Sequence, residues 1–290
     1  MRRAADLCAL LQARQRNDTD LGQHFLTDES HLAAIVQLAG DLNGRNVLEV
    51  GPGPGTLTEH LIDAGAMVTA IEVDPVAAEH LEQHFRDAID NGHLAVHVGD
   101  ALTHPWPTTL DAIVANIPYQ ISSPLIERIE AHRRDGVCPE RVVLLVQEEF
   151  AERLTLASPA DRGSLGVCTA LGWEASMHRR VPPGAFRPPP AVMSRVVMLE
   201  PRPWPKEVDH RFVRLVVHQA FSNRRKKLRT SLQQPPRRLS RRPGWHSGRW
   251  RDAIEALGDD PRMDQRPEDF DLAMWVDFCV DLVNAEVHSG

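Results

Sequence analysis

The sequence predicts an α/β protein with a parallel sheet and a small helical domain behind it, and three observations carry that reading. Up to about residue 205, short apolar runs of strand length alternate with helical stretches. Several of those runs end in glycine, an acid or an amide, which is where sheets of this class collect ligands. Beyond residue 205 the strand signal fades, and patterns such as Phe212-Val213-Leu215-Val216 and Met274-Trp275-Phe278 follow the helical period.

The elements follow in order. Residues 1–20 are polar and read as a mobile arm apart from a short helix around Asp6 to Gln15. The first strand, 46–51, runs into Gly51-Pro52-Gly53-Pro54-Gly55 and then a helix with Leu57 and Leu61 on one face. Glycines let the backbone pass close to a ligand, and the helix presents its amino end to it. Position 56 is Thr, so the spacing is G-x-G-x-G and departs from the dinucleotide fingerprint; that disfavours a pyrophosphate and suits S-adenosylmethionine. The second strand, 67–72, ends in Glu72, a carboxylate able to take both ribose hydroxyls, and Asp74-Pro75 reads as the cap of the next helix. The third, 94–98, ends in Gly99-Asp100-Ala101, where Asp100 either accepts from an adenine amine or only shapes the turn. Strands at 111–116 and 141–147 complete the parallel pattern, with Ser123-Pro124 read as a helix cap between them. Apolar segments 173–181 and 192–199 flank a proline-rich turn and suit a closing antiparallel pair.

The run Asn116-Ile117-Pro118-Tyr119 carries the chemistry. An Asn oxygen and a backbone carbonyl at the Ile-Pro step can accept both N–H groups of an adenine amine, drawing its lone pair out of ring conjugation and towards an electrophile. Tyr119, the only tyrosine in the chain, can stack on the base. Phe186, among Pro182, Pro183, Pro188, Pro189 and Pro190, reads either as a second aromatic wall or as a core side chain pinned by prolines. Stacking on such walls contributes about 1–3 kcal/mol per base.

Gly22-Gln23-His24-Phe25-Leu26, Glu49-Val50-Gly51-Pro52-Gly53, Asn116-Ile117-Pro118-Tyr119, the run from Gln147 to Leu154, Phe186-Arg187-Pro188-Pro189-Pro190 and the run from Phe221 to Arg229 occur in the order seen in the rRNA adenine N6,N6-dimethyltransferases. From about residue 20 to 232 the chain resembles that family, most nearly its small-subunit rRNA branch in bacterial and archaeal forms. The resemblance implies a Rossmann-like, class I S-adenosylmethionine-dependent methyltransferase sheet of seven strands in residues 21–204, with a helical RNA-binding domain in 205–290. It implies cofactor contacts at His24, Leu26, Gly51, Glu72, Asp100 and Asn116, with Pro118, Tyr119 and Phe186 at the target base. The implied substrate is a pair of adjacent adenosines in the terminal hairpin loop of small-subunit rRNA, met within a pre-ribosomal small subunit. Three departures stand out. Asp20-Leu21 replaces a basic and an aromatic residue of the family pattern, Arg162-Gly163 replaces Tyr-Gly, and segment 235–251 reads as a variable basic loop.

Composition constrains the partners. A chain of 290 residues with a formal charge of −7 looks wrong for an RNA enzyme until the distribution is read, because phosphate affinity follows local positive density. Arg224, Arg225, Lys226, Lys227 and Arg229 form a basic cluster, followed by Arg237, Arg238, Arg241 and Arg242. Alone, such a run is as easily a solvated face; beside an adenine-amine site, phosphate contact is the better reading. Four cysteines without C-x-x-C spacing imply reduced thiols, a cytoplasmic setting and no metal site. No apolar run reaches membrane-spanning length, and the protein is expected to act as a monomer. Alternatives are a large-subunit rRNA adenine methyltransferase of the antibiotic-resistance type, a DNA adenine methyltransferase, and a ribosome-assembly or RNA-binding factor without catalysis.

Overall fold

The computed structural model describes residues 3–14 and 23–285. Its strands are β1 (Phe25–Leu26), β2 (Asn46–Val50), β3 (Met67–Glu72), β4 (Leu94–Val98), β5 (Ala112–Asn116), β6 (Arg141–Gln147), β7 (Trp173–Val181), β8 (Phe186–Arg187) and β9 (Ser194–Pro201). Seven of them form one sheet in the order β4-β3-β2-β5-β6-β9-β7, while β1 and β8 make a separate antiparallel ribbon. The neighbours from β4 to β6 are parallel, and β9 is antiparallel to β6. This is the Rossmann-like α/β sheet of seven strands that the sequence reading expects. Its inner strand β6 is buried from Val142 to Val146, an unbroken apolar run because helices cover both faces of such a sheet.

The topology places the site. β2 is flanked by β3 on one side and β5 on the other, so the chain changes winding direction there and leaves a crevice at the carboxyl ends of the strands. Gly51, Glu72, Gly99-Asp100 and Asn116 all stand at that edge.

Several local expectations change. The short helix expected around Asp6 to Gln15 is present as Ala4–Arg14, starting two residues earlier, and it is packed. Ala4 and Leu7 belong to the main core, and Cys8 and Leu11 pack with Phe25 and Ala77. Its apolar residues recur at helical spacing, which composition alone does not reveal. The rest of the expected arm, with Gln15, lies outside the described residues, as does Gly22 of the motif that follows it. Ser123 does not cap the helix after β5. A 3₁₀ turn, Tyr119–Ile121, runs straight into helix Ser122–Arg134, and the first amides find Pro118 and Tyr119 carbonyls instead. Asp74 does cap its helix, accepting from the Val76 amide. The second strand of the closing pair begins at Ser194, two residues later than expected, and lies between β6 and β7.

The chain divides into two compact units, Met1–Ala151 with Ala175–Pro201, and Glu152–Glu174 with Arg202–Gly290. The single boundary expected near residue 205 is therefore corrected: residues 152–174 belong with the helical unit. The physical reason is apolar. Val167, Cys168 and Leu171 share a core with Phe212, Val213, Val216 and Val217. No helix among the described residues is long and apolar enough to cross a membrane.

Candidate active site

The glycine turn after β2 is held open by what surrounds it. Gly53 has φ +56°, and a Cβ there would stand 2.6 Å from the Phe25 ring. Gly55 has φ +84°, and a Cβ there would meet Phe85 at 2.6 Å and Leu81 at 2.8 Å. Both positions need glycine twice over, for conformation and for space. The turn leads into helix Thr56–Asp63, whose amino end faces a cavity of about 420 Å³, inside the ~300–1,000 Å³ range of small-molecule sites.

Glu72, at the end of β3, is buried and built into that turn. Its Oε2 accepts from the Gly53 amide at 2.9 Å and its Oε1 from the Asp74 amide at 3.0 Å. Each carboxylate oxygen retains a lone pair for a ligand hydroxyl. Burial raises the Glu72 pKa, and the two amide bonds oppose that rise. Behind it, Glu49 is wholly buried, accepts from the Thr58 hydroxyl at 2.7 Å, and is pushed up to about 8, first by burial and further by the nearby Glu72 charge. A neutral Glu49 spares the cavity a second buried anion.

Asp100 lines the cavity, and its Oδ1 accepts from the Leu102 amide at 2.9 Å. The turn-shaping reading is what the structure shows, and the second carboxylate oxygen is left as an acceptor at the cavity.

At the end of β5, Asn116 donates from Nδ2 to the His24 carbonyl at 3.0 Å. That bond fixes which way the amide points and leaves Oδ1 as its acceptor at the cavity wall. His24 is itself fixed: its Nδ1 bonds the Pro188 carbonyl at 3.0 Å, and its ring stacks on Tyr119 with centroids 5.8 Å apart. Tyr119 shares a 2.7 Å hydrogen bond with the hydroxyl of Ser194, which is completely buried, and burial raises the phenol pKa against that bond. The Pro118 carbonyl is committed to the Ile121 amide, so the acceptor available at the Ile-Pro step is the Ile117 carbonyl.

Of the residues read from sequence, His24, Gly51, Glu72, Asp100, Asn116, Pro118 and Tyr119 come together around this one cavity. Leu26 and Phe186 do not line it. They pair across the β1–β8 ribbon and point into the main core, 0% and 2% exposed, so Phe186 takes the core role and not that of a second aromatic wall. Ser194 and the Pro188 carbonyl were missed, and nothing local in the sequence announces either. Phe25 was visible only as part of a motif.

The basic cluster is less uniform than its sequence. Arg224 pairs with Glu268, while Lys227 and Arg229 share Asp264; Arg225 and Lys226 are exposed and make no ion pair among the described residues.

Comparison with known proteins gives a consistent picture. The family model described as ribosomal RNA adenine dimethylase matches residues 14–241. A protein of Methanospirillum hungatei named probable ribosomal RNA small subunit methyltransferase A is 39% identical over 72% of this chain and 80% of its own. A crystal structure of a dimethyladenosine transferase from Plasmodium falciparum is 26% identical, covers 90% of this chain and 97% of its own, and aligns with a TM-score of 0.72. The crystal structure of 23S rRNA methyltransferase ErmE, also 26% identical and covering 89% and 99%, aligns with a TM-score of 0.62.

Proposed function

The chain belongs to the ribosomal RNA adenine dimethylase family, and from that premise we propose that it methylates N6 of two adjacent adenosines in the 3′-terminal hairpin loop of small-subunit rRNA. It is an S-adenosylmethionine-dependent rRNA adenine dimethyltransferase. The finer reading is that the substrate is met within an immature small subunit, by a monomer, in the cytoplasm.

The site's donor set fits S-adenosylmethionine. Glu72 offers lone pairs for two ribose hydroxyls, Asp100 an acceptor for the adenine amine, and Gly53 a turn that brings its amide onto Glu72 at the cavity wall. When bound, that molecule supplies a methyl group made electrophilic by its sulfonium. The protein's part is orientation. Asn116 Oδ1 and the Ile117 carbonyl accept the two N–H groups of the target amine, which localises the N6 lone pair and aims it along the transfer axis. Tyr119, braced by Ser194, gives the base a flat surface. A neutral amide suits this position, because positive charge disperses in the transition state and a fixed anion would favour the ground state.

The observation that carries the reading is the 3.0 Å bond from Asn116 to the His24 carbonyl, which turns an amide of ambiguous orientation into a directed acceptor. Incubation of the purified protein with labelled S-adenosylmethionine and immature small subunits, followed by mapping of the modified nucleotides, tests it. Label on N6 of two neighbouring adenosines near the 3′ end is the expected result. Label confined to large-subunit RNA would replace this reading with the resistance-type alternative, and no transfer would leave a binding factor.

A further inference from the structure

The stretch from Arg224 to Arg242 contains two electrically different sets of cations. Arg224 bonds Glu268 at 2.7 Å and the Ala160 carbonyl; Lys227 and Arg229 hold Asp264 at 3.0 and 2.7 Å; Arg242 holds Asp209 at 2.7 Å. In each of them a neighbouring carboxylate already offsets the charge that a phosphate would otherwise meet. Arg225, Lys226, Arg237, Arg238 and Arg241 are exposed and make no ion pair among the described residues, although Arg225 and Lys226 share a depression with Asp264, Glu268 and Asp269. Counterion release on RNA binding comes from cations that are free to neutralise phosphates, so these five count and the paired four do not.

Three of the five sit on one turn, and that turn is built. Leu239 N bonds the Pro236 carbonyl at 3.1 Å, Arg241 N the Arg238 carbonyl at 3.0 Å, and Arg242 N the Leu239 carbonyl at 2.8 Å. Leu239, 3% exposed, anchors it in the helical core, and Trp245 just beyond stacks on Phe212 with centroids 4.5 Å apart. Arg238 has φ +66°, in the left-handed region that side-chain-bearing residues rarely adopt. A glycine would relax there, yet an arginine is held at the apex with its guanidinium in solvent.

We propose that the turn at 236–242 is a phosphate-contacting surface for rRNA, carried by Arg237, Arg238 and Arg241. Arg225 and Lys226 share the task, and Arg224, Lys227 and Arg229 hold the helical unit together. This rests on the rRNA substrate read above and corrects the uniform cluster expected from sequence.

The test uses the full chain, fluorescently labelled, and immature small subunits, with affinity measured by fluorescence anisotropy across potassium chloride concentrations and methyl transfer to the subunit RNA measured in parallel. The triple variant Arg237→Gln, Arg238→Gly, Arg241→Gln should lower the slope of log affinity against log salt by about 2, at ~0.7 per lost phosphate contact. Its urea midpoint should hold or rise, since glycine relieves the strain at 238. The variant Arg224→Gln, Lys227→Gln, Arg229→Gln should keep the parent slope and lose urea stability. The parent slope in the turn variant, with the parent enzyme methylating the RNA, overturns the inference. A parent that neither binds nor methylates these subunits overturns the substrate reading itself, and this inference with it.

Discussion

Replacing Asn116 by Ala removes two interactions of very different consequence. The first is the 3.0 Å bond to the His24 carbonyl, a neutral hydrogen bond worth about 0.5–1.5 kcal/mol to stability. His24 keeps its separate bond to the Pro188 carbonyl, so the cavity should hold its shape. The second is the Oδ1 acceptor at the target amine. Removing one such preorganised dipole at a reacting centre costs about 10²–10³ in rate, or roughly 2.7–4 kcal/mol of transition-state stabilisation. The expected variant is therefore folded, binds RNA like the parent, and loses most methyl transfer. Asn116→Asp should not rescue it, because a carboxylate oxygen would then face the His24 carbonyl where an N–H now bonds. Single-turnover assays at saturating RNA and cofactor isolate the transfer step, and urea titration checks the fold. A rate for Asn116→Ala within threefold of the parent would refute the orientation argument.

Glu72→Gln should weaken S-adenosylmethionine binding by roughly ten- to a hundredfold, the ~1.5–3 kcal/mol of charged hydrogen bonding, with RNA affinity unchanged. An unaltered calorimetric dissociation constant would remove Glu72 from the cofactor site. Glu49, pushed up to about 8 from an ordinary value of 4.5, holds a proton in the folded state that the unfolded chain releases. Its stabilising contribution is complete below pH 4.5 and is lost as pH rises through 8. Glu49→Gln should flatten that decline, by an amount on the order of a few kcal/mol, and a slope of urea stability against pH equal to the parent's would exclude Glu49 as its source. Tyr119→Phe keeps the ring and loses only the bond to Ser194, so transfer should fall less than tenfold, whereas Tyr119→Ala also forfeits about 1–3 kcal/mol of base stacking. Equal losses in the two variants, measured by single turnover, would shift the role of Tyr119 from ring to hydroxyl.

What could be read in advance was what short-range patterning encodes. Glu72, Asp100 and Asn116 are polar residues terminating apolar runs, and a parallel sheet necessarily brings such ends to one edge. The glycine turn was legible because spacing and backbone geometry are linked. Leu26 and Phe186 were misjudged for the opposite reason. Their burial follows from the β1–β8 pairing, which joins segments far apart in sequence, and a motif records that a residue matters without recording which way it faces. The brace on Tyr119 from Ser194, and the acids Asp264 and Glu268 that pair with three of the five cluster cations, are likewise long-range matches between chemically ordinary residues.

The interrupted helical unit has a consequence in time. Val167, Cys168 and Leu171 leave the ribosome before Phe212, Val213, Val216 and Val217, the residues that cover them. At about 5–20 residues per second of synthesis, that apolar face waits roughly two to nine seconds for its partners. During that interval helix Ser164–Ala170 follows a strand, β6, still waiting for β9, and has no core of its own to join. A nascent chain halted after Leu171 has left the ribosome but before Phe212 has should therefore expose these side chains to holdase chaperones, and one halted after Val217 has left should not.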